Sequence, residues 1–308
     1  MSSLTLGPLL FHWTPARRRD FYARIADEAP VACVYLGEVV CSKREAWFSK
    51  DLPAIAERLR RAGKQVVFST PALITTEREA AAVRARCDAG DLIEVNDLAC
   101  VQLLQGHRFV AGPLLNVFNE GALAVLLRLG AVRIGVPVEL PAAAIATLAR
   151  HNSSGETEVF AFGRQPLAIA QRCYHARAHD LHKDDCRFVC GEDTDGLPAT
   201  QLDGGPLLAV NGTQTLTHGH VVLLDALAGL AAAGVSHFRL SPHAIDMVAV
   251  ATIYRAVLDG ATAAEEGLAR LREIAGSIAF INGYLRGQAG MNWRPARERG
   301  EALKTMPA

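Results

Sequence analysis

The sequence carries no excess of charge. Its 308 residues hold 32 Lys and Arg against 32 Asp and Glu, for a formal net charge of zero. A chain whose main task is to neutralise phosphates usually carries a basic surplus, so general nucleic-acid binding is not expected. No Walker loop, Rossmann glycine fingerprint, G-x-S-x-G elbow or H-E-x-x-H helix is present, which excludes the commonest phosphate, dinucleotide, serine-hydrolase and zinc-protease motifs. There is no fixed-period repeat and no low-complexity stretch. The opening residues, Met1 to Phe11, lack the basic segment and cleavage site of a secretory leader. The longest apolar stretch, Gly219 to Val235, is shorter than a bilayer span and contains His220 and Asp225. It reads as a buried helix over Val221–Ala233, and His218-Gly219-His220, which could ligate a metal, reads as the start of that helix. A cytoplasmic protein without a membrane span is expected.

What is present is enough for a large core. Half the residues are apolar and 21% are charged, a globular balance. Short apolar, β-branched runs predict strands at 5–11, 31–36, 65–69, 92–95, 109–111, 132–136, 158–162 and 237–240. Several lack alternation, as strands covered on both faces do. Helices are predicted between them at 16–28, 52–62, 77–89, 97–104, 120–129 and 141–151. Leu52, Ile55, Ala56 and Leu59 mark one apolar helix face, and Leu123, Leu126 and Leu127 another. Eight strands alternating with helices point to an α/β fold with a parallel (β/α)8 barrel, an open doubly wound sheet being the alternative. A Cys-rich insertion at 172–217, with its own strand near 207–210, interrupts the pattern. The tail after Gly283 reads as peripheral.

In such a barrel, function gathers where strands end. Those ends carry Glu38, Ser69, Thr70, Asn96, Asp97, Asn116, Glu139 and Ser241. Asp97 has an ordinary explanation as a helix cap, and Ser69, Thr70 and Asn96 as partners of loop backbone. Glu38 and Glu139 fit those roles less well and are the candidate catalytic residues.

Seven cysteines, an odd number, argue against a disulfide framework in a reducing compartment. Cys173, Cys186 and Cys190 fall within eighteen residues, and Cys41 follows the second strand. Clustered thiolates select zinc or iron–sulfur centres. No tight C-x2-C pair, the usual zinc spacing, is present. Three close cysteines plus a remote one suit a [4Fe–4S] cluster on Cys41, Cys173, Cys186 and Cys190. A zinc site on Cys173, His179, Cys186 and Cys190, and simple buried thiols, stay open. The segment also holds His175 and His182. Cys33, Cys87 and Cys100 sit in apolar runs and read as core residues.

The run Tyr35-Leu36-Gly37-Glu38-Val39-Val40-Cys41-Ser42-Lys43-Arg44 resembles a signature of the peptidase U32 superfamily, and within it the branch of the V subunit (UbiV) of oxygen-independent ubiquinone biosynthesis. Glu94-Val95-Asn96-Asp97-Leu98, Pro137-Val138-Glu139-Leu140, Lys183-Asp184-Asp185-Cys186 and Arg239-Leu240-Ser241-Pro242 extend the resemblance along nearly the whole chain. It implies one U32-type barrel-like domain over 1–308, insertion included, and a [4Fe–4S] cluster on the four cysteines named above. It implies a heterodimer with a homologous, UbiU-like U32 subunit that hydroxylates an aromatic ubiquinone precursor without dioxygen, prephenate being the oxygen donor. A non-catalytic electron-transfer or scaffolding subunit is the other reading, and a U32-type RNA hydroxylase or protease a third. Cysteines are spaced differently in other branches, and no nucleophile–base motif supports proteolysis.

Overall fold

The computed structural model describes residues 2–295. Eight parallel strands close into a barrel: β1 (Ser3–Leu6), β2 (Cys33–Gly37), β3 (Gln65–Ser69), β4 (Ile93–Val95), β5 (Phe109–Ala111), β6 (Ala131–Gly135), the first half of β7 (Glu156–Ile169) and β11 (His237–Leu240), which pairs with both β7 and β1. All eight expected strands are barrel strands, in the expected order. The helices α1 (Pro15–Glu28), α2 (Leu52–Arg61), α3 (Glu77–Asp88), α4 (Leu98–Leu103), α5 (Glu120–Arg128) and α6 (Ala142–His151) lie between them. Leu52, Ile55, Ala56 and Leu59 of α2 are all buried, as are Leu123 and Leu126 of α5. Each such side chain contributes about 1.5–3 kcal/mol by leaving water. Cys87 and Cys100 belong to this main core, and Cys33 to a smaller interior cluster with Tyr35, Val67 and Val110.

The insertion is not separate from the barrel. β7 runs on past Phe162 and turns antiparallel to β10 (Gln214–Val222), which continues to β9 (Pro206–Asn211) and β8 (Leu197–Thr200). Gly163 makes the bend. Its φ is +116°, and a Cβ there would lie 2.6 Å from the His243 ring, so only glycine fits. A short helix, α7 (Tyr174–Ala178), and two 3-10 turns carry the cysteines between β7 and β8.

The helix expected over Val221–Ala233 is corrected. His218-Gly219-His220 and Val221-Val222 lie in β10, where His220 opposes Arg164 of β7, and Val222 opposes Phe162. The helix, α8, covers only Leu227–Ala232. An unbroken apolar run does not separate a buried strand from a buried helix, and β-branched Val221 and Val222 favour the strand. Helices α9 (Met247–Leu258) and α10 (Ala264–Ala275) lie beyond the expected set. The segment after Gly283 is packed rather than peripheral as far as it is described: β12 (Phe280–Ile281) pairs with β10, Leu285 is buried, and Trp293 lies 6.0 Å from Phe280. The remainder of that tail, 296–308, lies outside the described residues.

The barrel interior holds a charged centre. Glu158 on β7 accepts from Thr5 Oγ1 at 2.5 Å and Tyr35 Oη at 2.9 Å, and pairs with Arg239. Arg239 also meets Glu94 at 2.6 Å and lies 4.0 Å over the Tyr35 ring. Arg133 donates to Tyr35 Oη at 3.0 Å. Burial alone would raise the Glu158 carboxyl, but Arg239 first and Arg133 second hold it down, from 4.5 to about 2. The folded carboxyl therefore titrates below the unfolded one. Its stabilisation is complete above pH 4.5 and is lost as pH falls toward 2. Urea titrations should show a loss of about 3 kcal/mol from this group across that window. Glu158→Gln should abolish that part of the slope and cost about 3–5 kcal/mol at neutral pH, because two buried guanidinium groups lose their counter-charge.

Candidate metal centre and barrel mouth

The site is built on the loop after β2. Glu38 is buried, and its Oε1 accepts the N–H groups of Val40 at 2.9 Å and Cys41 at 3.0 Å. The loop thus folds around this carboxylate. Burial pushes the Glu38 carboxyl up, and Arg44 and Arg18 oppose the rise. Arg44, in the 3-10 turn Ser42–Trp47, is 1% exposed. It donates to Leu10 O at 2.9 Å and Asn211 Oδ1 at 2.9 Å, stands 4.0 Å from Glu38, and reaches the Cys190 thiol.

The insertion presents its cysteines to the same loop. Cys173 caps α7, its Sγ accepting from Ala176 N at 3.4 Å. Cys186 and Cys190 flank a tight turn, with Val189 N donating to Cys186 O at 3.1 Å. Arg187 and Phe188 both take left-handed backbone there, at φ 48° and 55°. For residues with a Cβ this costs of order 1–3 kcal/mol each, so the turn is held by its surroundings. Phe188 packs its ring 5.2 Å from Trp47 and 5.4 Å from His12. Lys43 pins the other side, donating to Lys183 O at 2.8 Å and Asp184 at 3.0 Å. The Cys190 thiol is raised by burial, lowered by Arg44, and raised again by Cys173 and Cys41. Cys41 and Cys173 therefore each lie within electrostatic reach of Cys190. Cys186 is half-buried in the adjoining turn, and all seven cysteines are free thiols. The alternative zinc set is not assembled: among the described residues, the His179 ring groups with His175 and Asp193 rather than with thiols.

Beside this loop, separated from it by Leu10, Val39 and Val40, the barrel mouth holds a small pocket. Asn96, Gln214, Arg239, Glu94 and Ser241 supply its polar lining, and Leu10, Val39 and Phe160 much of the apolar wall. A neighbouring, roomier cleft shares Asn96 and adds Asn116 and Glu139. Asn96, Asn116, Glu139 and Ser241 thus face the mouth or its cleft, as the strand-end reading expects. Asp97 caps α4 through Ala99 N at 2.9 Å. Thr70 bonds Asn96, and Ser69 bonds Glu94 at 2.5 Å. The Glu38 carboxylate is committed to the Cys41 loop rather than to the open mouth.

Sequence reasoning missed a third group. Asp195, in the insertion, accepts from His243 Nδ1 at 2.6 Å, and His243 Nε2 accepts from Arg164 N at 2.8 Å. These bonds place the His243 proton on Nδ1. Burial raises the Asp195 carboxyl, but His243 and His220 hold it well below the usual range. Burial and the neighbouring His243 lower His220 to about 3, so it is neutral. The only sequence signal was the density of His near strand ends, and these histidines come from distant segments.

The family model for peptidase family U32 matches residues 14–295. The chain belongs to that family. Among solved structures, it is similar to a tryptophan synthase complex chain from Pyrococcus furiosus, at 12% identity and a TM-score of 0.40 over 88% of this chain and 97% of that one. It is also similar to Mycobacterium tuberculosis tryptophan synthase, at 12% identity and a TM-score of 0.39 over 93% and 91%. The barrel rests on the chain's own strand register.

The two candidate carboxylates should part company in stability. Glu38→Ala removes the acceptor of two loop N–H groups and leaves Arg44 and Arg18 undercompensated, so a loss of about 3–5 kcal/mol is expected in denaturant unfolding. Glu139→Gln, at the cleft wall, should change stability by less than about 0.5 kcal/mol.

Proposed function

We propose that this U32 protein is the iron–sulfur, UbiV-type subunit of an oxygen-independent hydroxylase acting on an aromatic ubiquinone precursor. It works as a heterodimer with a homologous, UbiU-like subunit, and prephenate is the oxygen donor. The observation that carries the reading is the convergence of Cys41 with the Cys173–Cys190 segment on Arg44, next to the barrel mouth.

The residues present fit a [4Fe–4S] cluster on Cys41, Cys173, Cys186 and Cys190. The donors are four free thiols. Cys41 and Cys173 both act electrostatically on the Cys190 thiol, and Arg44 reaches it. Arg44 Nε is buried without a hydrogen-bond partner, as expected of a donor awaiting an acceptor in the space the thiols surround. When bound, the cluster supplies one-electron chemistry. The chain's own residues do the rest. Glu38 shapes the Cys41 loop, Arg44 offsets negative charge, and Leu10, Val39 and Val40 keep water from the space between loop and mouth. Asn96, Ser241 and Arg239 offer hydrogen bonds to a polar ring substituent, and Glu139 is the carboxylate free to move a proton at the cleft.

A second reading, an electron-transferring subunit whose partner holds the ring, is favoured by one observation: Glu94, Glu158 and Arg239 at the mouth are already paired with one another. Glu139→Gln separates the two. A fall in product formation of about 10²-fold or more with the cluster intact supports catalysis here; unchanged turnover favours the second reading.

Anaerobically purified protein should be brown, with about four irons per chain. Alanine at Cys41, Cys173, Cys186 or Cys190 should bleach it, while alanine at Cys33, Cys87 or Cys100 should not. Stoichiometric zinc in a colourless protein would overturn the cluster. Deleting the gene should leave ubiquinone intact in aerated cells and abolish it in anoxic ones, with under-hydroxylated precursors accumulating. Normal quinone in the anoxic mutant would overturn the pathway and leave the cluster standing.

A further inference from the structure

His175, His179 and Asp193 stand apart from the thiol set and are not explained by it. One ligand atom from each lies within 4.8 Å of the other two. His175 and His179 are one helical turn apart on α7 and its C-cap, so their rings stack, with centroids 5.5 Å apart and planes at 5°. Asp193 comes from the far side of the cysteine segment, three residues after Cys190.

The three side chains already face one another. His175 is fully buried, and its Nδ1 makes no hydrogen bond. Its Nε2 stands 3.0 Å from Asp193 Oδ2. A buried imidazole left in that state costs about 1–3 kcal/mol unless something else takes its lone pair. His179 Nδ1 lies 3.0 Å from the carbonyl oxygen of His175. The acceptor is a carbonyl, so Nδ1 carries the proton and Nε2 presents a lone pair. This carbonyl-oriented tautomer is the one metal-bound histidines usually show. The outer edge of the set, at His179, is exposed, which leaves room for a water.

We propose that His175, His179 and Asp193 bind a single divalent transition-metal ion of the zinc type, with two imidazoles, one carboxylate and an open fourth position. Two nitrogens and one oxygen suit zinc over calcium or magnesium, which take oxygen ligands. The ion joins α7, just after Cys173, to the turn just after Cys190. It therefore closes the cysteine segment on itself, independently of whether the thiols hold iron.

The test uses the full chain, purified without air with whatever iron it carries. Zinc is added, the protein is desalted, and zinc and iron are both counted. About one zinc per chain is expected. His179→Ala, an exposed change that leaves the core alone, should weaken zinc binding by at least about tenfold, since even an outer-shell change costs that much. Asp193→Asn should do the same, with iron content unchanged in both. Cobalt(II) in place of zinc should give weak visible bands without the intense thiolate charge-transfer absorption. Zinc retained equally by His179→Ala, no zinc retained by the parent protein, or a cobalt equivalent lost in His179→Ala that carries the thiolate band would each overturn the site. The result does not depend on the cluster: in an iron-free chain, His179→Ala still removes one equivalent that lacks the thiolate band.

Discussion

A guanidinium taken fully out of water must be given acceptors and a counter-charge, and Arg44 obtains them from four separate parts of the chain. Leu10 O comes from the exit of β1, Glu38 from the exit of β2, Asn211 from the β9–β10 hairpin, and the Cys190 thiol from the cysteine segment. Removing any one leaves a buried charge undercompensated, which is far costlier than losing a surface contact. The insertion and the barrel mouth are therefore one structural unit at this point. The hairpin turn shows how tight the arrangement is: at Gly212, with φ +64°, a Cβ would come within 2.5 Å of Arg44 Nη2. Glycine is required there by both backbone and space.

A second buried charge ties the insertion down from the opposite side. Asp195 is held by His243, which follows β11, and by Arg164, which follows the bend in β7 at 3.4 Å. Trp13 adds a bond from its indole N–H to Thr194 O at 2.7 Å. The cysteine segment is thus anchored at Arg44 and at Asp195, with Cys186 and Cys190 in the stretch between Lys183 and Thr194. The strained backbone at Arg187 and Phe188 persists because both flanks are fixed, and because Phe188 is wedged between His12 and Trp47.

The barrel was legible because its strands are short, largely apolar and β-branched runs and its helices carry one apolar stripe, two patterns that local sequence displays directly. The cysteine segment stood out because three of the seven cysteines fall within eighteen residues; their role as ligands belongs to the proposal. Glu38 was read as a candidate catalytic residue and a poor fit for a loop-backbone partner, but it takes that backbone role, accepting the N–H groups of Val40 and Cys41, and a backbone bond leaves no trace in residue identity. Arg44 and Asp195 were invisible for a different reason. A charged residue in a loop reads as solvated by default, and only tertiary structure shows that residues some 170 positions away, such as Asn211 for Arg44, enclose it. The Val221–Val222 error has the same root: what made this segment a strand was the continuation of β7 past Gly163, a bend that only the approach of His243 makes necessary.

These constraints bear on how the cysteines meet a metal. Burial raises the thiols of Cys41 and Cys190, so without a metal they stay protonated and neutral. A metal must displace those protons, and the thiolates that result need compensating positive charge in a place water does not reach. Arg44 supplies that charge in a position already dictated by packing, and Lys43 adds a second cation at the rim. The protein therefore does not have to reorganise its charges when the thiols ionise; the cations are in place beforehand. The same arrangement protects the barrel mouth. Arg239 is paired with both Glu94 and Glu158 in the interior, so these three groups are already neutralised among themselves, across the Leu10–Val39–Val40 wall from the cysteines. The proposed metal site and the mouth pocket could share one end of the barrel only if the charge of one did not collapse the other, and two separately neutralised networks would meet that condition.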